Sequence, residues 1–212
     1  MNTLENGIYA KFHTKKGNIL VKLTYKETPA TVGNFVALAE GKMKNSAKEE
    51  GIPFYDGLKF HRVINEFMIQ GGDPQGTGMG GESIWKEPFE KEVSIKRFPF
   101  RGTLCMASTS EPKSLGSQYF ITQANYDKSI EEQLRLKNSS ENIIKAYKKY
   151  GGSPHLFLKY TVFGQVYQGM DIVDKIAKVE VDEKEIAVRE ALPGNNCGGC
   201  GYPGCDGLAK AI

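Results

Sequence analysis

The run from Phe60 to Pro74 (Phe-His-Arg-Val-Ile-Asn-Glu-Phe-Met-Ile-Gln-Gly-Gly-Asp-Pro) constrains the fold more than any other stretch of this chain. Residues 59–64 and 67–70 read as two short strands flanking a tight connection at Asn65-Glu66. Successive strand residues point to opposite faces, so Arg62 and Ile64 fall on one side and His61 and Val63 on the other. A guanidinium that always keeps its charge, set beside Phe67 and Met68, suits a ligand that is apolar with one polar acceptor. An ordinary hairpin with a solvated Arg fits the same residues, so the run alone predicts strands and leaves the chemistry open.

Composition narrows the classes. A length of 212 residues with 40% apolar content supports one domain plus an appendage. The 28 basic and 25 acidic residues are interspersed and leave a net charge of +3, which is no footprint for nucleic acid. No run of apolar residues is long enough to span a bilayer, and no membrane partner is expected. Residues 1–9 are polar and lack an apolar signal-peptide core, from which a soluble cytoplasmic protein is expected; a monomer is expected as well.

Along the chain, residues 8–14 and 18–23 read as a hairpin around Lys15-Lys16-Gly17. Thr28-Pro29 reads as an N-cap and first helical residue, Val32, Phe35, Val36 and Ala39 share one face, and Gly41 ends the helix. Residues 71–81 are rich in glycine but lack the Gly-Lys-Ser/Thr of a phosphate cradle, which predicts a loop shaped by backbone freedom. Trp85 and Phe89 are expected to cover the edge of the sheet. Residues 126–153 read as a helical excursion, with Ser129 and Glu132 as a capping box followed by Leu134 and Leu136, and a second stripe at Ile143, Ile144, Tyr147 and Tyr150. Residues 170–176 read as a short helix with Ile172, Val173 and Ile176 inward.

Four blocks together carry a resemblance. They are the run just described, Arg101-Gly102-Thr103-Leu104-Cys105-Met106-Ala107-Ser108, Gly116-Ser117-Gln118-Tyr119-Phe120-Ile121-Thr122, and Tyr160-Thr161-Val162-Phe163-Gly164-Gln165-Val166. In this order they resemble the cyclophilins, the peptidyl-prolyl cis-trans isomerases, over residues 9–182. The resemblance implies a mainly β fold: a closed antiparallel β-barrel capped by helices, here with a helical insertion at about 126–153. It implies rotation of X-Pro bonds in proline-containing peptides and unfolded proteins, with no cofactor required.

Carried over from that family, Arg62 is the catalytic donor, Gln70 orients it or a substrate carbonyl, and His61 borders the slot with no proton to carry. Phe67, Met68, Phe120 and Leu156 form the apolar slot for the proline ring, Gln118 bonds the peptide, and Ala107 and Ser108 bind it through backbone groups. Five residues depart from the family pattern, the mildest being Ser108 where the family usually has Asn. His155 stands where the groove often has Trp, Tyr160 where it has His, and Phe157-Leu158 where it has Asp-Gly. The smaller ring at His155 is expected to weaken cyclosporin-type ligands more than proline turnover.

After Asp182 the resemblance fails, and residues 185–192 stand where the family has its barrel-closing strand. Their pattern permits a half-buried strand or a helix. Cys197, Cys200 and Cys205 then follow with C-x₂-C-x₄-C spacing on a Gly-rich run, similar to part of an Rnf-type four-cysteine iron–sulfur module. A fourth cysteine is missing, so an incomplete, unliganded tail and an iron–sulfur or zinc site on Cys197, Cys200 and Cys205 both stand as readings. The expected division is an isomerase domain at 1–184 and a Gly/Cys-rich tail at 185–212. Three functions follow: an isomerase, a non-catalytic proline-peptide-binding module, or an iron–sulfur protein acting through its tail.

Overall fold

Period-two alternation decides which side chains each strand buries, and seven strands agree on one interior. The computed structural model describes residues 4–179. In chain order the elements are β1 (Ile8–Thr14), β2 (Gly17–Leu23), α1 (Pro29–Ala39), β3 (Arg62–Ile64), β4 (Met68–Gly71), β5 (Phe89–Glu90) and β6 (Thr103–Met106). There follow β7 (Lys113–Leu115), β8 (Tyr119–Thr122), α2 (Lys128–Leu136), α3 (Glu141–Tyr150), β9 (Val162–Gln168) and α4 (Met170–Ala177). A 7-stranded sheet runs in the order β1-β2-β9-β6-β8-β4-β3, antiparallel throughout, and β5 pairs with β7 in a separate 2-stranded sheet.

Ile19, Val21 and Leu23 of β2, Ile69 of β4, Leu104 and Met106 of β6, and Ile121 of β8 all point into one core. Phe35 of α1 and Val173 of α4 plug it from the helices. Fully burying a side chain of this size contributes about 1.5–3 kcal/mol, so this cluster is the main hold on the sheet. Phe35 also stacks on Tyr55 at 5.0 Å between ring centroids and meets Tyr119 edge-on at 5.8 Å.

The sheet is curled, a half-barrel. Closure into a full barrel is not seen among the described residues, where β1 pairs only with β2 and β3 only with β4. Residues 185–192, expected to close it or to form a helix, lie outside the described residues, as do Cys197, Cys200 and Cys205. No helix among the described residues is long and apolar enough to cross a membrane.

The structure corrects three local expectations. Thr28 precedes α1 but caps nothing with its side chain. The N–H groups of Ala30 and Thr31 donate instead to the Glu92 carboxylate, at 3.2 and 2.7 Å. A carboxylate brought from 61 residues away neutralises the helix N-terminus better than the local hydroxyl, which donates to the Thr24 carbonyl. In the excursion, α2 starts one residue before Ser129. Asp127 is its N-cap and accepts from the Ser129 N–H at 2.7 Å, so the Ser129–Glu132 capping box does not form. Strand β3 is also shorter than the expected 59–64, because the ladder ends at Arg62 opposite Gln70 and the partner chain then bends at Gly71-Gly72.

Candidate active site

The face of the sheet turned away from the main core carries a second, smaller apolar cluster. Cross-strand register sets Arg62 opposite Gln70, Gln70 opposite Phe120, Phe120 opposite Cys105 and Cys105 opposite Val162. Alternation puts all five on one face. In the adjacent same-face row, Ile64 pairs with Met68. Met68, Cys105, Phe120, Leu156 and Val162 are buried together, and Ile64, Phe67, Ala107 and Tyr160 pack against them. The result is an apolar slot with Arg62 and Gln70 at one end of its registered row. Leu156 reaches it from a single 3-10 turn, Pro154–Leu156.

The β3–β4 turn presents this row. Glu66 takes a positive φ of 59°, and the Phe67 N–H closes the turn on the Ile64 carbonyl at 3.2 Å. The turn is bolted to the exit of β8. The Glu66 N–H donates to Gln123 Oε1 at 2.6 Å, and the Gln123 N–H donates to the Phe67 carbonyl at 2.7 Å. Gln123 Nε2 donates in turn to Asp174 Oδ1 at 3.0 Å, and Arg101 pairs with the same oxygen at 2.5 Å.

A polar chain runs from Gln70 into the glycine-rich loop. Gln70 Nε2 donates to Gln118 Oε1 at 2.9 Å, and Gln118 Nε2 donates to the carbonyls of Gly78 and Gly80 at 2.9 and 2.8 Å. The side chain of Gln118, expected to reach for peptide, therefore has both polar ends engaged within the protein. Asp73 organises the loop itself. Its carboxylate, 1% exposed, accepts from the N–H groups of Gln75, Thr77, Gly78 and Gly80. A Cβ at Gly80 would lie 2.2 Å from Asp73 Oδ1, which explains glycine there. His61 is half-buried near the same loop, with its Nε2 3.9 Å from where a Gly78 Cβ would stand.

On the opposite rim, His155 stacks on Phe67 at 5.5 Å, and Tyr160 meets Phe120 edge-on at 5.3 Å. Desolvation against these groups, then Lys159 and Lys137, hold the His155 imidazole below its ordinary pKa. Ala107 donates its N–H to the Gln118 carbonyl at 3.0 Å, and Ser108 follows it out of β6.

Sequence reasoning placed Cys105 in the core and missed its place in the slot floor beside Val162 and Ile64. Alternation carries that signal, since Cys105 lies one residue from the inward Leu104. Burial pushes the Cys105 thiol up to about 12, against a weaker pull from the Thr103 hydroxyl, so it is a neutral floor and no thiolate nucleophile. Asp73 was also missed, because a lone acid among glycines does not reveal which N–H groups the folded loop turns toward it.

The comparisons with known proteins agree with this geometry. The family model described as cyclophilin type peptidyl-prolyl cis-trans isomerase matches residues 9–192. A Staphylococcus saprophyticus protein bearing the name peptidyl-prolyl cis-trans isomerase is 45% identical over 188 residues, 87% of this chain and 89% of that protein. A Staphylococcus aureus protein of the same name is 44% identical over 181 residues, 85% and 86% of the two chains. Among solved structures, a cyclophilin type isomerase of Cryptosporidium parvum, crystallised in the presence of the dipeptide Ala-Pro, superposes with a TM-score of 0.62 at 29% identity, covering 83% of this chain and 89% of that one. A second family model, described as an Fe-S cluster, matches residues 192–212. By family match, relatives and superposition, this chain belongs to the cyclophilin-type peptidyl-prolyl cis-trans isomerases.

Proposed function

We propose that Arg62 carries the isomerisation by donating to the prolyl nitrogen of a peptide whose proline ring sits in the slot of Phe67, Met68, Phe120 and Leu156. The X-Pro bond must cross a barrier of about 18–20 kcal/mol because rotation breaks amide resonance. Once resonance is lost, the nitrogen lone pair becomes an acceptor. A donor aimed there binds the twisted amide better than either planar form, and that difference is catalysis. Arg suits the task because it cannot lose its charge and presents a rigid fork of donors. No proton is transferred, so His61 shapes the border of the slot. Gln70 steadies the guanidinium or a substrate carbonyl, and the backbone at Ala107 and Ser108 pairs with extended peptide.

The observation that supports this reading is the registered row Arg62–Gln70–Phe120 across three strands, with the apolar cluster beside it. Proline-containing peptides are the ligand class we assign, and unfolded proteins their natural source. Residues 185–192, for which closure of the barrel and a helix stand as equal readings, lie outside the described residues, and the family match runs through 192. The remaining tail is read as a separate unit. The second family match favours metal binding by Cys197, Cys200 and Cys205, and a visible absorption band in anaerobically purified protein would test that.

The test is Arg62→Ala in an NMR-exchange or protease-coupled assay on a short X-Pro peptide. We expect kcat/KM to fall at least about tenfold, or about 1.4 kcal/mol of transition-state stabilisation, with the fold intact. Turnover near that of the parent protein would end this mechanism.

A further inference from the structure

Beside the proline slot lies a second depression of about 710 Å³, with Val93, Ser108, Pro112, Leu158, Lys159 and Tyr160 in its lining. It shares one wall with the slot. Tyr160 belongs to both, since its ring packs edge-on against Phe120 at 5.3 Å. Ser108 belongs to its wall, and the preceding Ala107 packs on the slot cluster.

Two of its walls are apolar side chains that the fold leaves in water. Leu158 is 46% exposed and Val93 45% exposed. Leu158 also sits at φ 59°, a backbone region that branched side chains avoid because Cβ crowds the neighbouring carbonyl. It belongs to none of the apolar clusters. A strained, uncovered leucine at this spot is not explained by packing among the described residues. The facing wall is held in place: Lys91 Nζ donates to the Thr109 carbonyl at 2.7 Å, tying the loop after β6 to the segment after β5. Ser108 Oγ is buried and has no hydrogen-bond partner among the described residues. The charged groups at the rim are of both signs, Glu90 against Lys91 and Lys159, so they do not select one ionised ligand.

We propose that this depression is an extension of the peptide site, taking a large apolar side chain close to the X-Pro pair of the substrate. The inference rests on the isomerase reading of the slot. Because Tyr160 borders both, and an extended chain advances about 3.3 Å per residue, the side chain that enters belongs to a residue within about two positions of the proline. Covering Leu158, Val93, Pro112 and the Tyr160 ring removes apolar surface from water, which favours Leu or Phe over Ala or Asp. Leu158 and Val93 then act as specificity residues for the known reaction.

The test uses the full chain and a set of short Ala-rich peptides with one X-Pro bond, in which Leu, Phe or Asp is scanned through the positions flanking it. At one flanking position we expect Leu and Phe to raise kcat/KM about tenfold over Ala, chiefly through KM, with no gain for Asp. Leu158→Gly and, separately, Val93→Ser should each bring the Leu-to-Ala ratio at that position toward one. Thermal melts confirm that both variants are folded. Equal kcat/KM across all positions would overturn the subsite alone, as would an unchanged ratio in both variants. Absence of turnover on every peptide would overturn the isomerase reading, and the subsite with it.

Discussion

Asp73 illustrates how much a single side chain holds in this site without touching substrate. Burial pushes its carboxyl up, but hydrogen bonds from the N–H groups of Gln75, Gly80, Gly78 and Thr77 outweigh that and hold its pKa below the ordinary value. A carboxyl lowered by folding stabilises the protein above its unfolded pKa, about 3.9 for Asp. That contribution is lost as pH falls below this value and through the lower folded one. Asp73→Asn keeps the shape but turns an amide N–H₂ toward at least one backbone N–H. It should cost about 1–3 kcal/mol at pH 7. The gap between the two proteins should narrow as pH drops toward 3, in denaturant titrations at each pH; a gap independent of pH would show that charge is not what Asp73 supplies. Because Gly78 and Gly80 also accept from Gln118, and Gln118 from Gln70, the variant should also loosen the wall beside Arg62. The residues of the slot were legible in the sequence through the family resemblance; alternation added only the faces of strand residues such as Arg62 and Ile64, while Phe67 and Leu156 lie on turns. Asp73 was not, because its partners are set by a loop path that no periodicity encodes.

At the scale of elements, the helical excursion is a folding unit with its own centre. Ile130, Leu134, Ile144 and Tyr147 of α2 and α3 bury one another and roof over Phe98 and Phe100. Phe100 meets Tyr147 at 4.7 Å, and Phe98 stacks on Phe157 at 4.4 Å, beside the turn that delivers Leu156. The sequence showed both helices, but on the first it paired Leu136 with Leu134, and it is Ile130 that turns inward while Leu136 is exposed. It did not show the roofing, since Phe98 and Phe100 precede the excursion by some 26 residues. Its ends lie side by side: the Gly152 N–H donates to the Ala124 carbonyl at 3.0 Å. Replacing residues 126–150 by a short Gly-rich bridge should therefore leave the sheet folded, since loop closure changes little with length. The uncovered rings should cost about 2 kcal/mol, or about 4–8 °C in Tm. A deletion protein that is insoluble or lacks a cooperative melt would show that these helices complete the core of the isomerase domain.

At the scale of the whole molecule, the half-barrel has a topological consequence. An uncovered edge strand leaves a row of N–H and C=O groups ready to pair with another chain. Among the described residues β1 has a partner on one side only, and its side chains Ala10 and Phe12 pack on the main core while the strand itself is partly exposed. The strand order was beyond the sequence, because antiparallel neighbours such as β2 and β9, more than a hundred residues apart, are joined by register that local patterns do not carry. Two truncations decide whether residues 185–192 close the barrel. One ends after Lys184 and removes the segment; the other ends after Gly194 and keeps it. If the segment completes the barrel, the shorter protein should melt about 10 °C below the longer one, the size of a few kcal/mol in a domain of this length. It should also associate in a concentration-dependent way through the edge it exposes, read by light scattering. Equal melting temperatures and equal monomer content in the two truncations would instead assign everything after Lys184 to the tail and leave β1 as the true edge of the isomerase domain.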